Sequence, residues 1–87
     1  MTDQFIPHHG LVLEIRPDNW TDYQLEELHA YVGGYIEVVE IDADTIMVVD
    51  EEGLLRPSSA IHNPRASEIA GKYIVGNVVV IERSKLL

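Results

Sequence analysis

The sequence has no cysteine, only one phenylalanine and one tryptophan, and just six Lys and Arg against fifteen Asp and Glu, a formal net charge of −9 over 87 residues. Without thiols, neither a disulfide framework nor a thiolate metal site can form. The scarcity of bases argues against sequence-independent nucleic-acid binding, which depends on neutralising phosphates with Lys and Arg. A charged partner is instead expected to be a protein with a basic surface. No apolar run approaches the roughly 18 residues of a membrane span, and no basic stretch leads into an apolar signal core. A cytoplasmic location, away from membranes, is the expectation.

What is present suits a folded domain. Apolar residues make up 46% and charged residues 24% of the chain, too hydrophobic a balance for intrinsic disorder. A chain this short forms one domain and buries only about two-thirds of its unfolded surface. The charge is unevenly placed. Eleven of the fifteen acids fall between Pro17 and Leu55, a stretch without a single Lys or Arg.

Residues 1–10 lack periodicity and are punctuated by Pro7 and Gly10, which predicts a flexible lead-in carrying His8 and His9. Adjacent histidines on an extended chain point opposite ways and make poor partners for one metal ion. Residues 11–16 alternate, with Leu11, Leu13 and Ile15 on one face, the pattern of a half-buried strand that Pro17 ends. Thr21 and Gln24 then have the spacing of a capping box, and Trp20 and Leu25 that of a hydrophobic staple. Leu25, Leu28 and Val32 form a helical stripe flanked by Tyr31, while Asp22, Glu26 and Glu27 face outward. Gly33 is the natural left-handed residue after the helix, and Gly34 lets the chain turn back to a sheet.

Residues 35–41 and 45–50 are rich in β-branched side chains, and Asp42-Ala43-Asp44 between them predicts a hairpin. The strand–helix–strand order suggests 11–16 and 35–41 as parallel neighbours. Glu37 and Glu40 lie on opposite faces of their strand, as at a sheet edge. An acidic turn ends the second strand at Gly53, a residue that can take positive φ; Leu54 and Leu55 are expected back in the core, 56–59 as a loop and 60–62 as an extended link. Asn63 followed by Pro64 predicts a short helix over 63–70, packing through Ala66, Ile69 and Ala70. The last strand runs over 73–81, interrupted at Gly76-Asn77. Its four consecutive apolar β-branched residues, 78–81, read either as a central strand or as the contact of a homodimer. Residues 83–87 read as a frayed tail. The expected architecture is α+β: one domain over 11–82, a small four-stranded mixed or antiparallel sheet with one main helix packed on one face, and a second short helix.

Chemical motifs are few. Asp42-Ala43-Asp44 fails as a calcium loop because Ile46 stands where an oxygen ligand is needed and Met47 where a glycine is needed. Ser58, Ser59 and Ser67 lack a nucleophile-elbow context, and Gly33-Gly34 follows a helix instead of opening one, so it forms no phosphate loop. His29, near the helix C-terminus, is explained by the dipole there. No catalytic residue, metal or cofactor is therefore expected, and the chain reads as a non-enzyme. The leading reading is an acidic interaction surface built from Glu26, Glu27, Asp42, Asp44, Asp50, Glu51 and Glu52. A solvated face accounts for the same charge without function. One alternative is a groove for a nucleotide-like ligand, lined by Gly33, Gly34, Tyr35 and Tyr73. Another is carboxylates imitating the phosphates of a duplex.

The strings YVGGYIEVVEI, VVDEEGLL and NPRASEIAGKYIVGNVVVI, in that order and spacing, resemble a family of domains of unknown function, number 3846, found largely in bacteriophages, plasmids and actinobacterial genomes. The resemblance covers about residues 11–82. It rests on Gly33-Gly34-Tyr35-Ile36-Glu37, the acidic turn ending at Gly53, Asn63-Pro64-Arg65-Ala66 and Ile74-Val75-Gly76-Asn77. The acidic turn often opens with asparagine in that family, whereas Asp50 stands here. The resemblance transfers no catalytic residue. It implies a mobile-element setting and an accessory or counter-defence protein acting in a bacterial host.

Overall fold

The structure, a computed structural model, describes residues 2–53 and 61–86. The expectations for Leu54, Leu55, the 56–59 loop, Ala60 and the last residue of the tail lie outside the described residues. Among the described residues five strands, β1 (Gln4–Ile6), β2 (Leu13–Glu14), β3 (Ile36–Glu40), β4 (Thr45–Asp50) and β5 (Val78–Glu82), form one sheet in the order β2-β1-β5-β4-β3, every neighbouring pair antiparallel. Among the described residues two α-helices complete the α+β fold, α1 (Leu25–Val32) and α2 (Pro64–Ala70). No helix among the described residues is long and apolar enough to cross a membrane.

β5 is the central strand, paired with β1 on one side and β4 on the other. Its apolar run is explained by cover on both faces of the sheet. Val79 and Ile81 join Ile46 and Val48 beneath Tyr23, Leu28 and Val32 on the α1 side. Val78 and Val80 join Ile6, Met47 and Val49 against Ala66 on the α2 side. Strands buried on both faces read as continuous hydrophobic runs instead of alternating ones. The short helix therefore closes the second core: Ala66 is fully buried, and Ile69 and Ala70 pack beside it.

The 1–10 segment, expected as a flexible lead-in, supplies β1, the fifth strand, inserted between β2 and β5 with Ile6 fully buried. Three residues are too few to show a period; pairing on both sides makes them a strand. Gly10, at φ +94°, donates its N–H to the Pro7 carbonyl at 3.0 Å and reverses the chain. That local turn brings β2 back antiparallel to β1. Consequently β2 is not a parallel neighbour of β3; the two form opposite edges of the sheet, and β2 is only two exposed residues long.

α1 also starts later than the Thr21–Gln24 capping-box spacing suggests. The Asn19 side chain accepts from the Thr21 and Asp22 N–H groups at 2.8 and 2.9 Å, drawing Thr21 into a turn. The cap is Gln24, whose box partner is Glu27. The residues at staple positions are then Tyr23 and Leu28, both buried in one cluster, while Trp20 is 73% exposed and Leu25 53%. Gly33, at φ +89°, ends the helix with its N–H on the His29 carbonyl at 2.7 Å.

Gly53 does not use the positive φ open to glycine; a Cβ there would lie 2.9 Å from the Val75 Cγ2 atom, so glycine is needed for close packing. One further expectation is corrected. The frayed tail is instead tied down: Arg83–Lys85 form a 3₁₀ turn, and the Lys85 carbonyl accepts the Tyr23 N–H at 2.8 Å.

Candidate functional site

The β3–β4 hairpin and α1 carry the acidic residues, and the register divides them. Asp42 and Asp44 lie in the turn beside the end of β5, since Thr45 pairs with Glu82. Asp50, Glu51 and Glu52 lie at the opposite end of the hairpin, where the Glu51 N–H donates to the Tyr35 carbonyl at 2.9 Å. A six-residue strand separates the two groups by about 20 Å. They are two patches.

Several of these carboxylates have local structural duties. The two oxygens of Glu27 accept from the Gln24 N–H at 2.9 Å and the Asp18 N–H at 3.0 Å. Asp42 accepts from the Asp44 N–H and Asp50 from the Glu52 N–H, each at 2.9 Å, closing their turns. Arg83 reaches into the first patch, with its N–H on the Asp44 carbonyl at 2.8 Å, its Nε on the Ala43 carbonyl at 3.1 Å and its guanidinium paired to Glu40. A base distant in sequence thus neutralises part of a segment that has none of its own. Glu26, on the first turn of α1, and Glu51 are exposed.

The four residues expected to form a ligand groove are not brought together as one lining. Tyr35 packs edge-on against His29, ring centroids 6.0 Å apart, whereas Tyr73 stacks parallel on His62 at 4.7 Å. Tyr73 lines a cleft of about 110 Å³ with Lys72, Glu37, Asp50 and Glu51, to which Gly33, Gly34 and Tyr35 do not contribute. Small-molecule sites usually enclose about 300 Å³ or more. Among the described residues, no three His, Cys, Asp or Glu side chains gather into a metal-binding group.

Sequence reasoning missed an apolar groove of about 320 Å³ between α1 and the edge strand β3, lined by Tyr23, Leu25, Leu28, Ile36, Val38 and Leu86. Leu25 is 53% and Val38 39% exposed at its rim. The signal was available: Ile36 and Val38 share one strand face, but only the position of β3 at the sheet edge leaves that face half open. Glu40 lies on the same face by register, and Glu26 follows Leu25 on the helix. Neither α1 nor β3 contains a Lys or Arg.

Tyr23, at the floor of this groove, points its hydroxyl to Asp3 at 3.0 Å. Burial, then the hydrogen bond to the Asp3 carboxylate, pushes the phenol well above its ordinary range. Tyr31 is also raised, first by burial and then by Asp18 and Glu27. Lys85 is raised chiefly by its hydrogen bond to Asp3.

Compared with known proteins, residues 7–85 match a sequence family described as a domain of unknown function, DUF3846. No curated protein and no solved structure matches.

Proposed function

We propose, from the premise that this chain belongs to the DUF3846 family, that it is a non-enzymatic interaction module binding one protein partner stoichiometrically through the acidic α1–β3 side of the domain. The observation that carries this reading is the placement of exposed apolar side chains, Leu25 and Val38, beside Glu26 and the Arg83-paired Glu40, with Glu37 exposed on the other face of the same edge strand, on two elements that contain no base of their own. Apolar anchors supply affinity, and a single sign of charge selects the partner and speeds encounter. The partner is a protein with basic side chains around an apolar centre. The mobile-element setting implied by the family resemblance suits an accessory or counter-defence role in a bacterial host's cytoplasm.

The other readings have weaker support. The small cleft at Tyr73 leaves little room for a nucleotide-like ligand. A duplex carries about one charge per 1.7 Å, so a mimic as long as the domain's 35 Å axis would need about 20 charges. The net charge here is −9.

The test is quantitative capture from a bacterial lysate by the tagged protein and by its Glu26→Lys, Glu37→Lys, Glu51→Lys triple variant, at two salt concentrations. The wild type should enrich a basic protein near one-to-one, and higher salt or the triple change should abolish the enrichment. Equal capture by the two proteins would sink the proposal.

A further inference from the structure

We infer that the free edge of β3 takes up an extended basic–apolar segment of the partner as a sixth strand. The inference rests on the interaction reading above and specifies its mode. The Tyr35 carbonyl accepts the Glu51 N–H, and the Ile41 N–H donates to the Thr45 carbonyl. Between them the register is unbroken, from Ile36 opposite Asp50 to Glu40 opposite Ile46. In an antiparallel ladder, backbone groups alternate between the two sides of a strand. Positions 35, 37, 39 and 41 therefore bond to β4, and the N–H and C=O groups of Ile36, Val38 and Glu40 point away from it. Among the described residues no strand pairs with that side.

Side-chain chemistry fixes the occupant. On the α1 face an added strand would lie beside Ile36 and Val38, at the mouth of the apolar groove. On the other face it would run past exposed Glu37. Cross-strand neighbours on one face sit about 5 Å apart, close enough for apolar contact on one side and an ion pair on the other. The fitting segment alternates apolar and Lys or Arg residues. A second copy of this chain fits poorly, because each copy carries a net charge of −9 and edge pairing would bring the two exposed Glu37 carboxylates onto one ribbon, Arg83 answering only Glu40. Main-chain bonds give such strand addition its affinity, and alternate side chains its specificity.

The probe is an eight-residue peptide of alternating lysine and valine, compared with a block peptide of the same composition and with two N-methylated forms, one methylated at the lysines and one at the valines. Amide hydrogen exchange and NMR titration of the intact protein supply the readout. The alternating peptide should bind and slow exchange at Ile36, Val38 and Glu40 by about tenfold or more, while the block peptide binds at least tenfold more weakly. One N-methyl pattern should abolish binding and the other leave it, because only alternate amides face β3. Val38→Pro, which removes an outward N–H and no β4 bond, should also reduce affinity at least tenfold with the fold retained. If both N-methylated peptides bind like the parent while Glu37→Lys still weakens them, strand addition is overturned and the acidic-surface reading stands. If the alternating peptide leaves the three edge amides unchanged, Glu37 and Glu40 only guard the edge against pairing, and the inference fails.

Discussion

Asp3 and Lys85 are 82 positions apart in the chain, yet the Asp3 carboxylate receives a hydrogen bond from the Lys85 ammonium at 3.1 Å. Asp3 is only 2% exposed, and it also accepts from the Tyr23 hydroxyl at 3.0 Å and the Glu82 N–H at 3.2 Å. One buried carboxylate thus joins β1, the approach to α1 and the end of β5. A buried charge is tolerable only when its lone pairs are satisfied, and here they are.

Asp3→Ala should be the costliest single change in this clasp. It leaves the Tyr23 hydroxyl and the Glu82 N–H without their acceptor and Lys85 without its counter-charge, for a loss of about 3 kcal/mol. Urea denaturation of the wild type and variant would measure it. Lys85→Met should cost less, because the Lys85 end is partly open to solvent.

Stability should be lost on the alkaline side. Tyr23, Tyr31 and Lys85 all hold their protons more tightly in the folded chain than in the unfolded one. Their contribution is complete below the unfolded values near pH 10 and declines as the pH rises through and beyond them. Thermal melts from pH 8 to 11 should show a plateau followed by a falling Tm. In Tyr23→Phe the fall should be shallower, since one of the three raised groups is gone.

At the start of α1, substitutions should separate the two cap assignments. Glu27→Ala removes the acceptor for the Gln24 and Asp18 N–H groups and should cost about 1 kcal/mol. Thr21→Ala should stay within about 0.5 kcal/mol, because the threonine hydroxyl makes only a 3.5 Å contact with the Asn19 carbonyl on the surface. A larger effect at Thr21 than at Glu27 in chemical denaturation would contradict this account.

Asn63 has a double role that one substitution can expose. Its oxygen caps α2 by accepting the Ala66 N–H at 3.1 Å, and its amide donates to the Ile6 and Gly76 carbonyls at 2.9 and 2.8 Å. Asn63→Ser retains a cap but loses both strand-side bonds. It should therefore destabilise by about 2 kcal/mol, against a few tenths for a simple exchange of cap residues. Differential scanning calorimetry of the two chains would decide.

The sequence alone determined the elements whose signals are local. The β3–β4 hairpin, the left-handed Gly33 and the Asn63-Pro64 start of α2 were legible because caps, turns and β-branched runs act over a few residues, whereas the 78–81 run left a central strand and a homodimer contact equally open. The tertiary structure decided what depends on partners distant in the chain. β1 became a strand by pairing with β5, Arg83 entered an acidic turn some 40 positions away, and Lys85 found Asp3. The α1–β3 groove belongs to the same class: its Tyr23, Val38 and Leu86 carry no local signal of a shared opening, which exists only because β3 ends the sheet. Local periodicity reports which face of an element is apolar; it carries no information about which neighbour, if any, covers that face.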